Sequence, residues 1–238
     1  MLAPIAHAND WEFKLAPMYL WGQSVEGTSF IGPSGADLDL DFTDEILENI
    51  NTALTVHFEA VNDDLTFFVD LNHVSLDPES QVADRVNASI DYEMNMAEVG
   101  TTWAFADNGN TRWEAMLGLR YIEQDVDVEL RAELPPPFQR LRKVGGGDEW
   151  YHPFLGARVF QKLSESWAFI GRADYGYSDS DNTAFNTQLT FDWRFNSWGS
   201  VLLGYRYMEY DYEGGSGINR YAADMEHQGP VIGLNIRW

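Results

Sequence analysis

Alternation with period two at the end of the chain, from Glu226 to Trp238, restricts the possible folds more than any other feature. Pro230, Ile232, Leu234, Ile236 and Trp238 fall on one face, and Gly229, Val231, Gly233, Asn235 and Arg237 on the other. Successive side chains of a β-strand point to opposite sides. The segment therefore reads as a strand with one greasy face and one polar face, closed by a large aromatic. No run approaches the ~18 apolar residues of a membrane helix. A strand of this kind suits a wall between lipid and a polar lumen.

Nine earlier segments repeat the pattern. The faces assigned to lipid are Trp11 to Trp21 (odd positions), Leu54 to Ala60 (even positions), Leu65 to Leu71, Trp113 to Tyr121, Pro153 to Val159, Trp167 to Tyr177, Phe185 to Phe195 and Val201 to Tyr207 (all odd positions). The remaining segment begins with Ile90, Tyr92, Met94 and Met96 on the lipid side and continues with Val99, Thr101, Trp103 and Phe105. That change of phase predicts a bulge near Ala97-Glu98. Aromatics collect near segment ends, where interfacial girdles belong. The girdle candidates are Trp11, Trp21, Trp103, Trp113, Trp167, Trp193, Tyr205 and Trp238.

The connections alternate between tight and long. Tight links fall at Asn62–Asp64, Ala106–Asn110, Ser164–Ser166 and Asn196-Ser197, and long ones at about Gln23–Asn51, Asp77–Asn87, Glu123–Asp148 and Glu213–Met225, with only Asp179–Thr183 short on the long-loop side. Short turns at one rim and long loops at the other are the asymmetry of outer-membrane barrels. The expectation is an all-β fold, a closed antiparallel transmembrane barrel of about ten strands with both termini periplasmic. Twelve is the alternative if Ser29–Phe42 forms its own hairpin.

Composition agrees. Aromatics make up 14% of the 238 residues, yet mean hydropathy is -0.33, as expected when half of each strand faces polar space. A formal charge of -23 excludes a basic nucleic-acid footprint and points to acidic loops. There is no cysteine, so no disulfide contributes. Ala6-His7-Ala8 fits a small-x-small cleavage rule, so residues 1–8 read as a signal-peptide remnant and 9–238 as a single domain.

On these residues the chain resembles the broad class of bacterial outer-membrane β-barrel proteins, porin-like, OmpA-like or OmpW-like, over residues 11–238. The Ile232, Leu234, Ile236 and Trp238 ending resembles the signal read by the barrel-assembly machinery. The resemblance implies outer-membrane lipid and lipopolysaccharide as surroundings, that machinery as a biogenesis partner, and a monomer by default.

The faces assigned to the lumen carry nine bases: Lys14, Arg112, Arg120, Arg158, Lys162, Arg172, Arg194, Arg206 and Arg237. Opposite them stand nine acids: Glu12, Glu59, Asp70, Asp91, Glu93, Glu98, Glu114, Asp174 and Asp192. His57 and His152 also point inward. The arrangement is compatible with a narrow channel for small polar solutes, with a lumen plugged by ion pairs in a structural or surface-interaction barrel, and thirdly with a rim enzyme. Nothing in the spacing places a nucleophile beside a histidine, so the chain is not expected to be an enzyme, and no cofactor is implied. Asp37, Asp39 and Asp41 share one side of an extended segment and form a weak Ca²⁺ candidate. Thr43–Ile50 reads as a short amphipathic helix. Arg131, Arg140, Arg142 and Lys143 form a basic cluster around three prolines that would suit lipopolysaccharide phosphates.

Overall fold

A computed structural model describes residues 11–32, 34–40, 50–76, 79–83, 86–132, 141–217 and 220–238, with side chains described except at 34–40, 50–51, 79–83, 86–88, 130–132 and 141–144. The strands are β1 (Glu12–Trp21), β2 (Ser24–Ile31), β3 (Ser34–Leu40), β4 (Ile50–Asn62), β5 (Leu65–Leu76), β6 (Glu79–Ala83), β7 (Val86–Asp107), β8 (Thr111–Ala132), β9 (Leu141–Lys162), β10 (Trp167–Asp179), β11 (Asn182–Arg194), β12 (Gly199–Gly214) and β13 (Tyr221–Arg237). β1, β4, β5 and β7 to β13 pair in succession, and β13 pairs back to β1, closing a ten-stranded antiparallel ring.

Four tight turns, β4–β5, β7–β8, β9–β10 and β11–β12, gather at one mouth, while the tight β10–β11 turn lies at the other. Asp63 takes φ 49° and Gly109 takes φ 84°, and Asn108 Oδ1 accepts from the amides of Asn110 and Thr111 at 3.0 and 2.8 Å. At the other end the connections expected as long loops are largely strand. β7, β8 and β9 are 22 residues each, about 70 Å at ~3.3 Å per residue, more than a bilayer requires. Ser29–Phe42 does contribute to a hairpin, β2 with β3, but β2 runs along the upper part of β13 above β1. The ring therefore keeps ten strands. Residues 1–8 and the helix expected over Thr43–Ile50 lie outside the described residues, apart from Ile50, which begins β4.

The lower part of the wall is greasy outside. Leu65, Phe67, Leu71, Val99, Leu117, Leu155, Leu189 and Ile232 are all exposed on the exterior. Trp103, Trp113, Trp167, Trp193 and Trp238 edge this belt below, with Tyr175 and Tyr205 above. On β8 it runs from Trp113 to Tyr121, the length of a spanning strand. Above the belt the two faces exchange character: Asp91, Glu93 and Asn95 point out, and Tyr92, Met94 and Met96 are buried inside. These methionines join Ile122, Val126, Trp150, Tyr210 and Met225 in an apolar core within the barrel.

Two expectations are corrected. β7 pairs with β8 in unbroken register from Val86 to Ala104, so there is no bulge at Ala97-Glu98. The apparent change of phase is a change of medium: a strand leaving lipid for water needs polar groups outside and apolar ones inside. β1 does slip, between Leu15 and Met18. Pro17 has no amide hydrogen to donate to the ladder, and Pro17 and Met18 both face out. Tyr19 and Trp21 consequently turn inward, so Trp21 is a lumen residue rather than part of the girdle.

Gly100 and Gly118 face each other across β7 and β8. They leave room for Phe68 and Phe154, which pack together inside with Met116. A Cβ at Gly118 would meet Phe154 at 2.4 Å and the backbone oxygen of Val99 at 2.5 Å. Gly118→Ala is expected to cost about 1–3 kcal/mol through overpacking, read as a lower urea midpoint for the detergent-refolded barrel. An unchanged midpoint would contradict this packing.

Candidate functional site in the barrel lumen

Neighbouring strands deliver opposite charges to one level of the lumen. Glu98 on β7 is the centre: its carboxylate accepts from Arg120 at 2.9 Å, Arg172 at 2.6 Å and Arg206 at 2.8 Å. Asp174 accepts from Arg120 at 2.6 Å, Arg172 at 2.8 Å and Asn186 at 2.7 Å. Asp70 lies 3.7 Å from Arg172, so three guanidiniums meet three carboxylates. Arg120, Glu98 and Asp174 side chains are 0% exposed. Aromatic faces complete the cage, with Arg120 5.0 Å from Phe154, Arg172 5.3 Å from Phe68 and Arg206 4.5 Å from Trp21.

A second group lies toward the turn-bearing mouth. Glu59 pairs with Lys14 at 3.0 Å and closely with Arg158. Glu114 accepts from Arg158 at 2.6 Å, Arg112 at 2.7 Å and Thr102 at 2.9 Å. His57 sits between the groups, 2.6 Å from Asp70 and 3.5 Å from Glu59. A cavity of about 260 Å³ opens here, lined by Lys14, Glu59, Arg158, Asp192, Arg194 and Arg237 among others. A recess of about 70 Å³ shares His57, Glu59 and Arg158 with it and reaches Asp70 and Arg172. Beyond that lie the fully buried Glu98 and Arg120.

Above the charged level the lumen is filled by the apolar core. His227, above the belt, stacks on Tyr210 with ring centres 5.4 Å apart. It shares hydrogen bonds with Tyr210 at 3.2 Å and Gln23 at 2.8 Å. Burial, reinforced by Arg206 below, lowers its pKa to about 3, so it is neutral at physiological pH. The chain of contacts continues from Gln23 to Asn72 at 3.5 Å and from Asn72 to Thr55 at 3.3 Å. Sequence reading missed this chain and the Trp150–Tyr212 stack at 4.2 Å. Their only signal was aromatics alternating with acids beyond the expected strand ends.

The structure turns Lys14, His57, Glu59, Asp70, Glu114, Arg120, Arg158, Arg172, Asp174, Asp192, Arg206 and Arg237 inward, with Arg194 exposed at the mouth. Glu93 is the correction: its side chain is 48% exposed on the outside, 3.9 Å from His73. Moving Asp91 and Glu93 out leaves seven inward acids of the expected nine against nine bases. Trp11, Trp103, Trp113, Trp167, Trp193, Tyr205 and Trp238 face out, as a girdle requires. Asp37 and Asp39 lie on β3 without described side chains, and Asp41 lies outside the described residues. Among the described residues no group of three histidine or acidic side chains is arranged to hold a metal ion. Side chains of Arg131, Arg140, Arg142 and Lys143 are likewise not described.

No protein-family model matches the chain, and no curated protein matches it by sequence. Among solved structures it is similar to the outer membrane protease OmpT from Escherichia coli, with TM-score 0.67 and 9% identity, covering 98% of this chain and 99% of that one. The attachment invasion locus protein Ail of Yersinia pestis has TM-score 0.38 and 8% identity, covering 96% and 97% of the two chains. A Pseudomonas aeruginosa FadL homologue has TM-score 0.38 and 8% identity, covering 96% and 90%. The fold is that of the bacterial outer-membrane β-barrels, and the likeness at these identities extends to the fold alone.

Removing one partner of a buried ion cluster leaves the others uncompensated, which costs about 3–5 kcal/mol. An exposed pair such as Glu213–Arg220 is screened by solvent and contributes little. Glu98→Ala is therefore expected to lower the urea midpoint far more than Glu213→Ala. Equal shifts would mean that the Glu98 cluster does not hold the lumen together.

Proposed function

We propose that the chain is a non-conducting barrel of the bacterial outer membrane, anchored by its lower half and acting through the tall upper half that rises outside. The observation that carries this reading is the closed lumen. Three arginines cross to Glu98 and Asp174 at mid-height, and an apolar core fills the space above. A solute would have to part both. This favours the plugged, surface-interaction reading over the narrow channel.

In this reading four of the tight turns and both termini are periplasmic and the long hairpins lie outside, an orientation that the asymmetry of the connections supports. Outer-membrane lipid, including the acyl chains of lipopolysaccharide, meets the apolar belt. The ending from Pro230 to Trp238 serves as the assembly signal, and the barrel works as a monomer.

The upper wall carries the means of recognition. Asp91, Glu93, Asp125, Glu149, Glu209, Asp211, Glu213 and Asp224 are exposed on it. They crowd one another: partial burial and the neighbouring Glu123, Glu93 and Asp127 raise the Asp125 pKa. Partial burial and Asp224 do the same for Asp211. Such a surface attracts cationic partners and repels anionic ones. The proposal contains no catalytic step, and the proteolysis named for the Escherichia coli barrel is not carried over.

The test is planar-bilayer recording of the refolded chain, with folding verified by its heat-modifiable gel mobility. Folded protein is expected to give no conductance steps. Steady, ion-selective steps would overturn the proposal and return the lumen arginines to a role in passage.

A further inference from the structure

The cavity at the turn-bearing mouth is a dead end, so it is not explained as one end of a passage. Its deeper charges satisfy one another in the pairs described above. Two charges of opposite sign do not: Glu12 on β1 and Arg194 on β11 both line the cavity and are exposed at the mouth. Neither has a charged partner among the described residues. A third element lies in the wall between them. Arg237 meets Asp192 through one nitrogen and one oxygen at 3.1 Å. That leaves Arg237 Nε and Asp192 Oδ1, both buried, without partners among the described residues. The pair thus has one spare donor and one spare acceptor. Phe160 and Leu202 add apolar surface to the same lining.

An anion would satisfy Arg194 and leave Glu12 unmatched, and a cation would do the reverse. A ligand carrying both charges on a short body answers both. The volume of about 260 Å³ is slightly below the ~300 Å³ at which ordinary small-molecule sites begin, which limits the ligand to amino-acid or dipeptide size. We infer that this blind vestibule is a binding site for a small zwitterion, with its carboxylate held by Arg194 and its ammonium by Glu12. The site needs no open lumen. It stands whichever compartment the mouth faces, and only its blindness rests on the closed lumen of the proposed function.

The test titrates the refolded full chain in detergent micelles with L-alanyl-L-alanine, followed by calorimetry or saturation-transfer NMR. N-acetyl-L-alanine, which lacks the ammonium, and L-alanine amide, which lacks the carboxylate, are run in parallel. The dipeptide is expected to bind saturably, and each blocked compound about tenfold or more weaker, as losing one charge-assisted contact implies. Glu12→Gln and Arg194→Gln, each shown to be folded by heat-modifiable mobility, are expected to weaken the dipeptide to the same extent. The absence of saturable dipeptide binding to the unaltered protein overturns the inference. So does N-acetyl-L-alanine binding as tightly as the dipeptide, which would mark a plain anion site. Undiminished binding by both folded variants would overturn it as well.

Discussion

A closed barrel has no freedom to turn a side chain from one face of its wall to the other without breaking the ladder, and this barrel is taller than the membrane. Each long strand therefore passes through two exterior media with one fixed alternation. Where the outside is lipid, the inside can hold charge. Where the outside is water, the inside must supply the apolar core. β7 carries both solutions in one unbroken register, with Val99, Thr101 and Trp103 outside below and Asp91, Glu93 and Asn95 outside above. The charged layer around Glu98 and the apolar core around Met94 and Trp150 are two consequences of that constraint.

The charged layer lies where the interior changes from wet to dry. Below it are cavities lined by ionised groups, and above it are methionines and tyrosines. Fully buried ion pairs gain little over apolar packing, because desolvation offsets attraction. What such a layer supplies is a penalty for mismatch. Glu98 receives arginines from β8, β10 and β12, while Asp174 bridges β8, β10 and β11. A strand displaced by one residue would move its charge into lipid and leave the others uncompensated. The cluster thus keys several strands to one register while closing the lumen.

Much of this was legible in the sequence because the signals were local. Turns such as Asp63-Asp64 and the greasy faces ending on Trp113, Trp193 and Trp238 stood where alternation put them. The inward arginines at 120, 158, 172 and 206 followed from the same period. Four things were not legible. The inward turn of Trp21 depends on a slip at Pro17, whose direction is set by pairing with β13. Glu93 was assigned inward because alternation was read against lipid along its whole length, although that part of the strand stands in water. The long hairpins looked like loops for the same reason: with acids outside and aromatics inside, they carry the reverse of the pattern that identifies a membrane strand. Which arginine meets which carboxylate depends on closure of the ring, which no local pattern contains.

The exchange of faces along β7 can be measured directly, and the absence of native cysteine makes single-site labelling clean. Nitroxides at Asp91, Glu93, Asn95, Val99 and Thr101, with Met94 as the interior reference, would be tested for collision with lipid-soluble oxygen and with a water-soluble nickel complex. The account predicts nickel access at Asp91, Glu93 and Asn95, oxygen access at Val99 and Thr101, and neither at Met94. Oxygen access at Met94 with protection at Glu93 and Asn95 would contradict it. That pattern would restore the bulge and place the whole strand in lipid.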